Sequence, residues 1–181
     1  METVSQRSTP LVLAAVLVSA LSQAGEPASA FSVETARKLI AELGPQKAAE
    51  QLSNDSTMLE GVASGVASAR HEWLDVGVQL VGPAEAYLKD RLVQAFSYAL
   101  QHDAPAVLER GAAGLPLEAV CGYDPFTGVD RLPTRREFDQ ALAPRERAVA
   151  GVKRGDLAAA KSTCLAALAH LKTVGAKHYE P

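Results

Sequence analysis

Four groups of residues in this chain carry side chains capable of chemistry, and spacing decides what each could do. His71-Glu72 begins like the zinc-protease pattern H-E-x-x-H, but Asp75 stands in the fifth position. On a helix, His71 and Asp75 share a face at i, i+4 and supply two metal ligands at most. A solvated helix face with His71 beside a carboxylate is the simpler reading. Glu72 and His71 would serve a hydrolase only if both converged with Asp75 on a concave pocket. The run Gly61-Val62-Ala63-Ser64-Gly65 approaches the nucleophile elbow G-x-S-x-G, yet Ser64 is displaced by one position and no strand precedes it. Small residues over 61–69 are better read as allowing two helices to approach closely. Asp124-Pro125-Phe126-Thr127-Gly128-Val129-Asp130 has oxygen ligands and a glycine, but it lacks the calcium-loop spacing and its closing Glu.

The fourth group is Cys121 and Cys164, the two cysteines of the chain. Two free buried thiols and a redox pair are the alternatives, and no C-x-x-C spacing supports the latter. In an oxidising compartment an isolated pair is best read as one structural disulfide. Closing a loop of about 44 residues would add about 4 kcal/mol in the chain-entropy model. Just after Cys121 comes the one long irregular stretch, Gly122 to Pro133, whose Gly, Pro and Asp content rules out a regular element. Long loops beside a staple in a rigid body are common recognition surfaces. Tyr123, Phe126, Arg131, Arg135 and Arg136 cluster here, and aromatic and Arg side chains favour interface hot spots. They form the candidate interaction loop; the plainer alternative is a surface loop stabilised by Asx turns, with Tyr123 and Phe126 packing beneath it.

No sequence feature requires a cofactor: G-x-G-x-x-G, a Walker A loop and the C-x-x-C-H haem attachment are all missing. No metal-ligand set and no catalytic constellation stands out, which favours a binding role over an enzyme.

The first thirty residues read as a cleavable export signal. Arg7 precedes an apolar run from Leu11 to Leu21, and a small-residue stretch ends in Ala28-Ser29-Ala30, the A-x-A pattern of signal peptidase. The run is 11 residues long, too short for the ~20 that span a bilayer. With no Cys at Phe31, no stable membrane anchor is expected after cleavage. Removing residues 1–30, which hold one Arg and two Glu, takes 18 basic and 21 acidic residues to 17 and 19, a formal charge of −2. A near-neutral surface argues against nucleic acid, which requires a basic patch to release phosphate counterions. The protein is thus expected in the periplasm or outside the cell, with another protein as its possible partner.

Residues 31–181 have the length of one ordinary domain. Ala dominates the composition and aromatics make up only 5%, a balance suited to small, closely packed helices. No stretch alternates apolar and polar residues between turn signals, so no strand is expected. Ser32 is a candidate N-cap for a first helix, stopped at Gly44-Pro45, with a second running to about Leu52. A third spans about Ser56 to Ser64 with a break or a tight bend at Gly65, and a fourth carries Trp73, Leu74, Val76 and Leu80. The clearest element runs from Ala84 to Gln101, where Leu88, Leu92, Ala95, Phe96 and Ala99 make one stripe and Lys89, Asp90, Arg91, Gln94 and Ser97 the opposite face. Asp103 caps a short helix, and a turn at Pro116 to Val120 leads to Cys121. Thr134 caps a helix over about 135–152, and the last covers about 156–171, followed by a polar tail, 172–181, expected to fray. The expected fold class is all-α: an irregular bundle of seven to nine helices in a single domain with one disulfide.

Trp73-Leu74-x-Val76, Leu80, Leu88-x-x-x-Leu92-x-x-Ala95, Ala99-Leu100-x-x-Asp103-Ala104-Pro105-x-Val107-Leu108, Val120-Cys121-Gly122 and Cys164-Leu165 together give a pattern over about residues 56–170. It resembles small exported all-helical bacterial proteins with no assigned activity. That resemblance implies a periplasmic helical domain with a disulfide and carries over no catalytic residues. The general layout is also similar to that of periplasmic immunity proteins, which neutralise toxins of rival bacteria. The functional expectation is a non-enzymatic periplasmic protein-binding module, inhibitor-like or immunity-like. A small-ligand carrier with an apolar cavity between helices, or a hydrolase using His71 and nearby acids, is the alternative.

Overall fold

The structure is a computed structural model that describes residues 31–131 and 133–175. The expected export segment 1–30 and residues 176–181 of the expected tail lie outside the described residues. Among the described residues there are eight α-helices, two short 3-10 turns and no strand. The helices are α1 (Val33–Ser53), α2 (Ser56–Ala67), α3 (His71–Val81), α4 (Ala86–Ala99), α5 (Ala104–Glu109), α6 (Leu117–Cys121), α7 (Arg135–Ala150) and α8 (Ala158–Gly175). The all-α bundle read from the pattern is the observed fold.

Local chemistry sets most of the boundaries. Ser32 Oγ accepts the Thr35 N–H, and Asp55 Oδ1 accepts those of Thr57 and Met58, satisfying the first free donors of α1 and α2. Gly44 leaves helical geometry at φ 75° and ψ 160°, so α1 is two limbs hinged before Pro45, the break expected there. Asp103 caps α5 through the Ala106 N–H at 3.0 Å. Thr134 and Glu137 cap α7 reciprocally as a capping box.

Two expected boundaries are corrected. Gly65 does not end α2, which continues to Ala67; the glycine serves packing instead, since a Cβ there would meet Trp73 and one at Gly61 would meet Phe31. The expected close approach of two helices is thus seen at Gly65, facing Trp73 of α3, whereas Phe31 precedes α1. The last helix does not stop at Leu171 but runs to Gly175. Lys172 is held there: its ammonium donates to Glu146 at 2.9 Å, and its carbonyl accepts from Arg135.

One connected core runs from Val33 to Leu168. α4 packs against α1, α2, α3, α5 and α6, and α8 against α6 and α7, so the expected central helix is central. Its stripe of Leu88, Leu92, Ala95, Phe96 and Ala99 is buried as expected, but Ser97 is buried too, not on the outer face. Cys121 and Cys164 are joined, with Cα atoms 5.2 Å apart, which ties α6 to the middle of α8.

Candidate functional site

The segment after Cys121 is shaped by its own side chains. Asp124 Oδ1 accepts the Phe126 N–H at 2.8 Å, an Asx turn, and the Asp124 carbonyl accepts the Thr127 N–H at 3.2 Å. Gly128 follows at φ 79°, a left-handed turn open to glycine without strain, and the Val129 N–H returns to the Phe126 carbonyl. The result is a compact hydrogen-bonded surface segment.

Its aromatic residues turn inward, as the plainer surface-loop reading has it. Tyr123 and Phe126 are half-buried against the core, and the Phe126 ring lies 6.4 Å from that of Phe138. Burial pushes the Tyr123 phenol above its ordinary pKa, partly offset by a hydrogen bond with Thr127. Electrostatic neighbours of that phenol include Tyr98, Arg91 and Asp90. The outer part of the segment, Thr127 to Arg131, is exposed.

The three arginines of the candidate loop part company. Arg131 grips Glu137 with both nitrogens, at 3.0 and 2.7 Å. That guanidinium, together with the Thr134 N–H, pulls the Glu137 carboxyl down to about 2. Arg135 pairs with Asp139 at 2.8 Å one helical turn on. Arg136 is exposed on the outside of α7. The five candidate residues therefore do not form one exposed cluster: two aromatics support the segment, and two arginines brace the start of α7.

What the sequence reading missed lies next door. Tyr87, Arg91, Gln94 and Tyr98 stand at i, i+4, i+7 and i+11 on α4, along the flank of its buried stripe. Tyr87 is 65% exposed and Tyr98 37%. Arg91 is braced by Glu60 of α2 at 2.7 Å and by Gln94. Tyr98 is an electrostatic neighbour of Tyr123, and α4 packs against α6, from whose end the segment starts. The signal was present as a second helical stripe, phased about a third of a turn from the hydrophobic one, with tyrosines at both ends.

The remaining candidates are dispersed. His71 Nε2 lies 3.3 Å from Asp103, Glu72 is held by Arg70, and Asp75 pairs with Arg110 at 2.8 Å. These three side chains reach three different partners and do not converge on one pocket. Glu72 sits below the ordinary carboxylate range, through its backbone hydrogen bond first and Arg70 second. Ser64 is exposed in the middle of a continuous helix. Among the described residues, no group of three or more His, Cys, Asp or Glu side chains is placed to hold a metal ion. None of the described helices is long and apolar enough to cross a membrane.

A separate open groove of about 680 Å³ runs between α6 and α8, lined by Gly122, Ala166, Ala167, His170, Leu171 and Val174 among others.

Comparison with known proteins finds no matching family model, no matching curated protein and no matching solved structure.

Proposed function

We propose that this is an exported, non-enzymatic helical protein that works by binding another protein, as an inhibitor or immunity factor would. The recognition surface of this reading is the exposed part of segment 122–131 together with the outward stripe of α4. One observation carries it: α4 leaves Tyr87 and Tyr98 exposed along one side, and Tyr98 is among the electrostatic neighbours of Tyr123 in the segment. Tyrosine offers a large apolar body with a polar tip at low conformational cost, which is why it recurs at interface hot spots. The staple and the capped helices beneath would keep the ordering cost of association small.

The test is capture from periplasmic and secreted extracts by tagged protein, residues 31–181, read by mass spectrometry. A stoichiometric partner should be captured by the native protein, lost on deleting residues 124–132, and weakened about tenfold or more by Tyr98→Ala. Far-UV circular dichroism should stay nearly unchanged in both variants. Undiminished capture by both would overturn the proposed surface. Export is checked on the same material: processing should leave Phe31 as the first residue, and protein retained in the cytoplasm with Met1 in place would overturn that part.

The α6–α8 groove favours a second reading, a small-ligand carrier, because its volume lies in the range of about 300–1,000 Å³ typical of ligand sites. Ligand-dependent melting would support it, and a blank screen together with a captured protein partner would remove it.

A further inference from the structure

The inner stripe of α7 consists of Phe138, Leu142, Arg145 and Val149, at i, i+4, i+7 and i+11. Three of these are the apolar residues a core-facing helix calls for, and the fourth is an arginine only 1% exposed. Burying a guanidinium is costly, and a well-packed apolar side chain is often as stable or more so. Its contacts show what occupies the position to advantage. Arg145 Nη1 donates to the Tyr123 carbonyl at 2.8 Å, and its Nε is buried with no hydrogen-bond partner. Burial lowers its pKa, while Tyr98, Asp124 and Tyr123 act in the opposite sense and favour the cation. Two of those three neighbours belong to the segment after Cys121, and the third, Tyr98, belongs to the exposed stripe of α4.

We propose that Arg145 is the positioning residue of the recognition surface: its guanidinium holds the Tyr123 carbonyl inward and sets the orientation of segment 122–131. That the surface is used for recognition rests on the reading above; the orientation itself does not. The Tyr123 peptide faces the interior because a donor lies beneath it, and an inward carbonyl without that donor would be a buried unsatisfied acceptor. The Asp124 turn begins at the next residue, so the first peptide of the segment and its turn are set together. The disulfide fixes where the segment starts, and Arg145 fixes which way it faces.

Hydrogen–deuterium exchange on purified Arg145→Met and Arg145→Lys tests this without a partner. Met roughly keeps the volume and removes the fork of donors, so the bundle should hold while the segment loosens. In Arg145→Met, the amides of Phe126, Thr127 and Val129 should exchange about tenfold faster or more, with those of α4 and α8 within about twofold of native. Arg145→Lys should fall between. Unchanged exchange in the segment overturns the proposal. So does acceleration spread evenly through α4 and α8, or failure of both variants to fold, since each would make Arg145 a general core residue. If the segment loosens as expected but partner capture is undiminished, the positioning role stands and the recognition reading falls.

Discussion

The indole of Trp73 occupies the place of a side chain that Gly65 does not have: a Cβ there would stand 2.3 Å from Cδ2 and 2.5 Å from Cε2. α2 and α3 therefore approach at a distance that only glycine permits. Helix propensity and packing give opposite signs for Gly65→Ala. Propensity alone would add up to about 1 kcal/mol, whereas overpacking a filled core costs about 1–3 kcal/mol. We expect a loss of about 1–3 kcal/mol in urea unfolding. Gly82→Ala, with nothing within 4 Å of its Cβ, should move stability by less than about 0.5 kcal/mol. An unchanged or raised midpoint for Gly65→Ala would refute the packing account.

That contrast marks the limit of local reading. Gly44-Pro45 breaks α1 because of what those two residues do to their own backbone, and Thr134 with Glu137 starts α7 by hydrogen bonds within four residues. Gly65, inside a continuous helix and followed by Val66, has a role that depends on Trp73, eight positions on in another helix. Ser97 repeats the lesson: polar in sequence, it is buried because α4 is surrounded by helices, not lying on a surface.

The bond between Cys121 and Cys164 closes a loop with a sequence separation of 43. Replacing both cysteines by alanine should lower stability by about 2–4 kcal/mol and the melting temperature by roughly 5–15 °C. Reduction under mild denaturant should reproduce the shift, because both residues are buried and a reductant must wait for opening. Identical melting of the native and double-alanine proteins would show that the staple contributes nothing.

Glu137 makes stability depend on acid pH. Its folded-state pKa, about 2, lies below the ordinary 4.5 because Arg131 and the Thr134 N–H stabilise the carboxylate. A depressed pKa contributes stability that is complete above the unfolded-state value and disappears as pH falls through the folded one. Glu137→Gln should therefore unfold more easily than the native protein at pH 7, with the difference vanishing near pH 2. Side-chain NMR should place the titration midpoint near 2; a midpoint at the ordinary value would remove the coupling.

Lys161 closes the other end of α7. Its ammonium donates to the carbonyls of Ala150 at 2.6 Å and Val152 at 2.8 Å, groups left without helical partners where α7 stops. Lys161→Met keeps the aliphatic stem and should cost about 1–2 kcal/mol, read by chemical denaturation. Amide exchange should rise over the last turn of α7 and not over α4. An equal rise in both helices would show a general loss of packing instead of a lost cap.

Taken alone, the sequence determined the helical class, most helix starts and stops, the buried stripe of α4 and the pairing of two cysteines. These follow from backbone preferences, capping within a few residues, helical periodicity and the chemistry of an isolated thiol pair. Tertiary structure decided which faces survive as surface. It turned Tyr123 and Phe126 inward, spent Arg131 and Arg135 on neighbouring carboxylates, left Tyr87 and Tyr98 exposed, and placed Arg145 in an apolar stripe under the segment it touches. Those outcomes depend on which helices lie against which. A side chain's type carries no information about the distant groups that will cover it, pair with it or leave it to solvent.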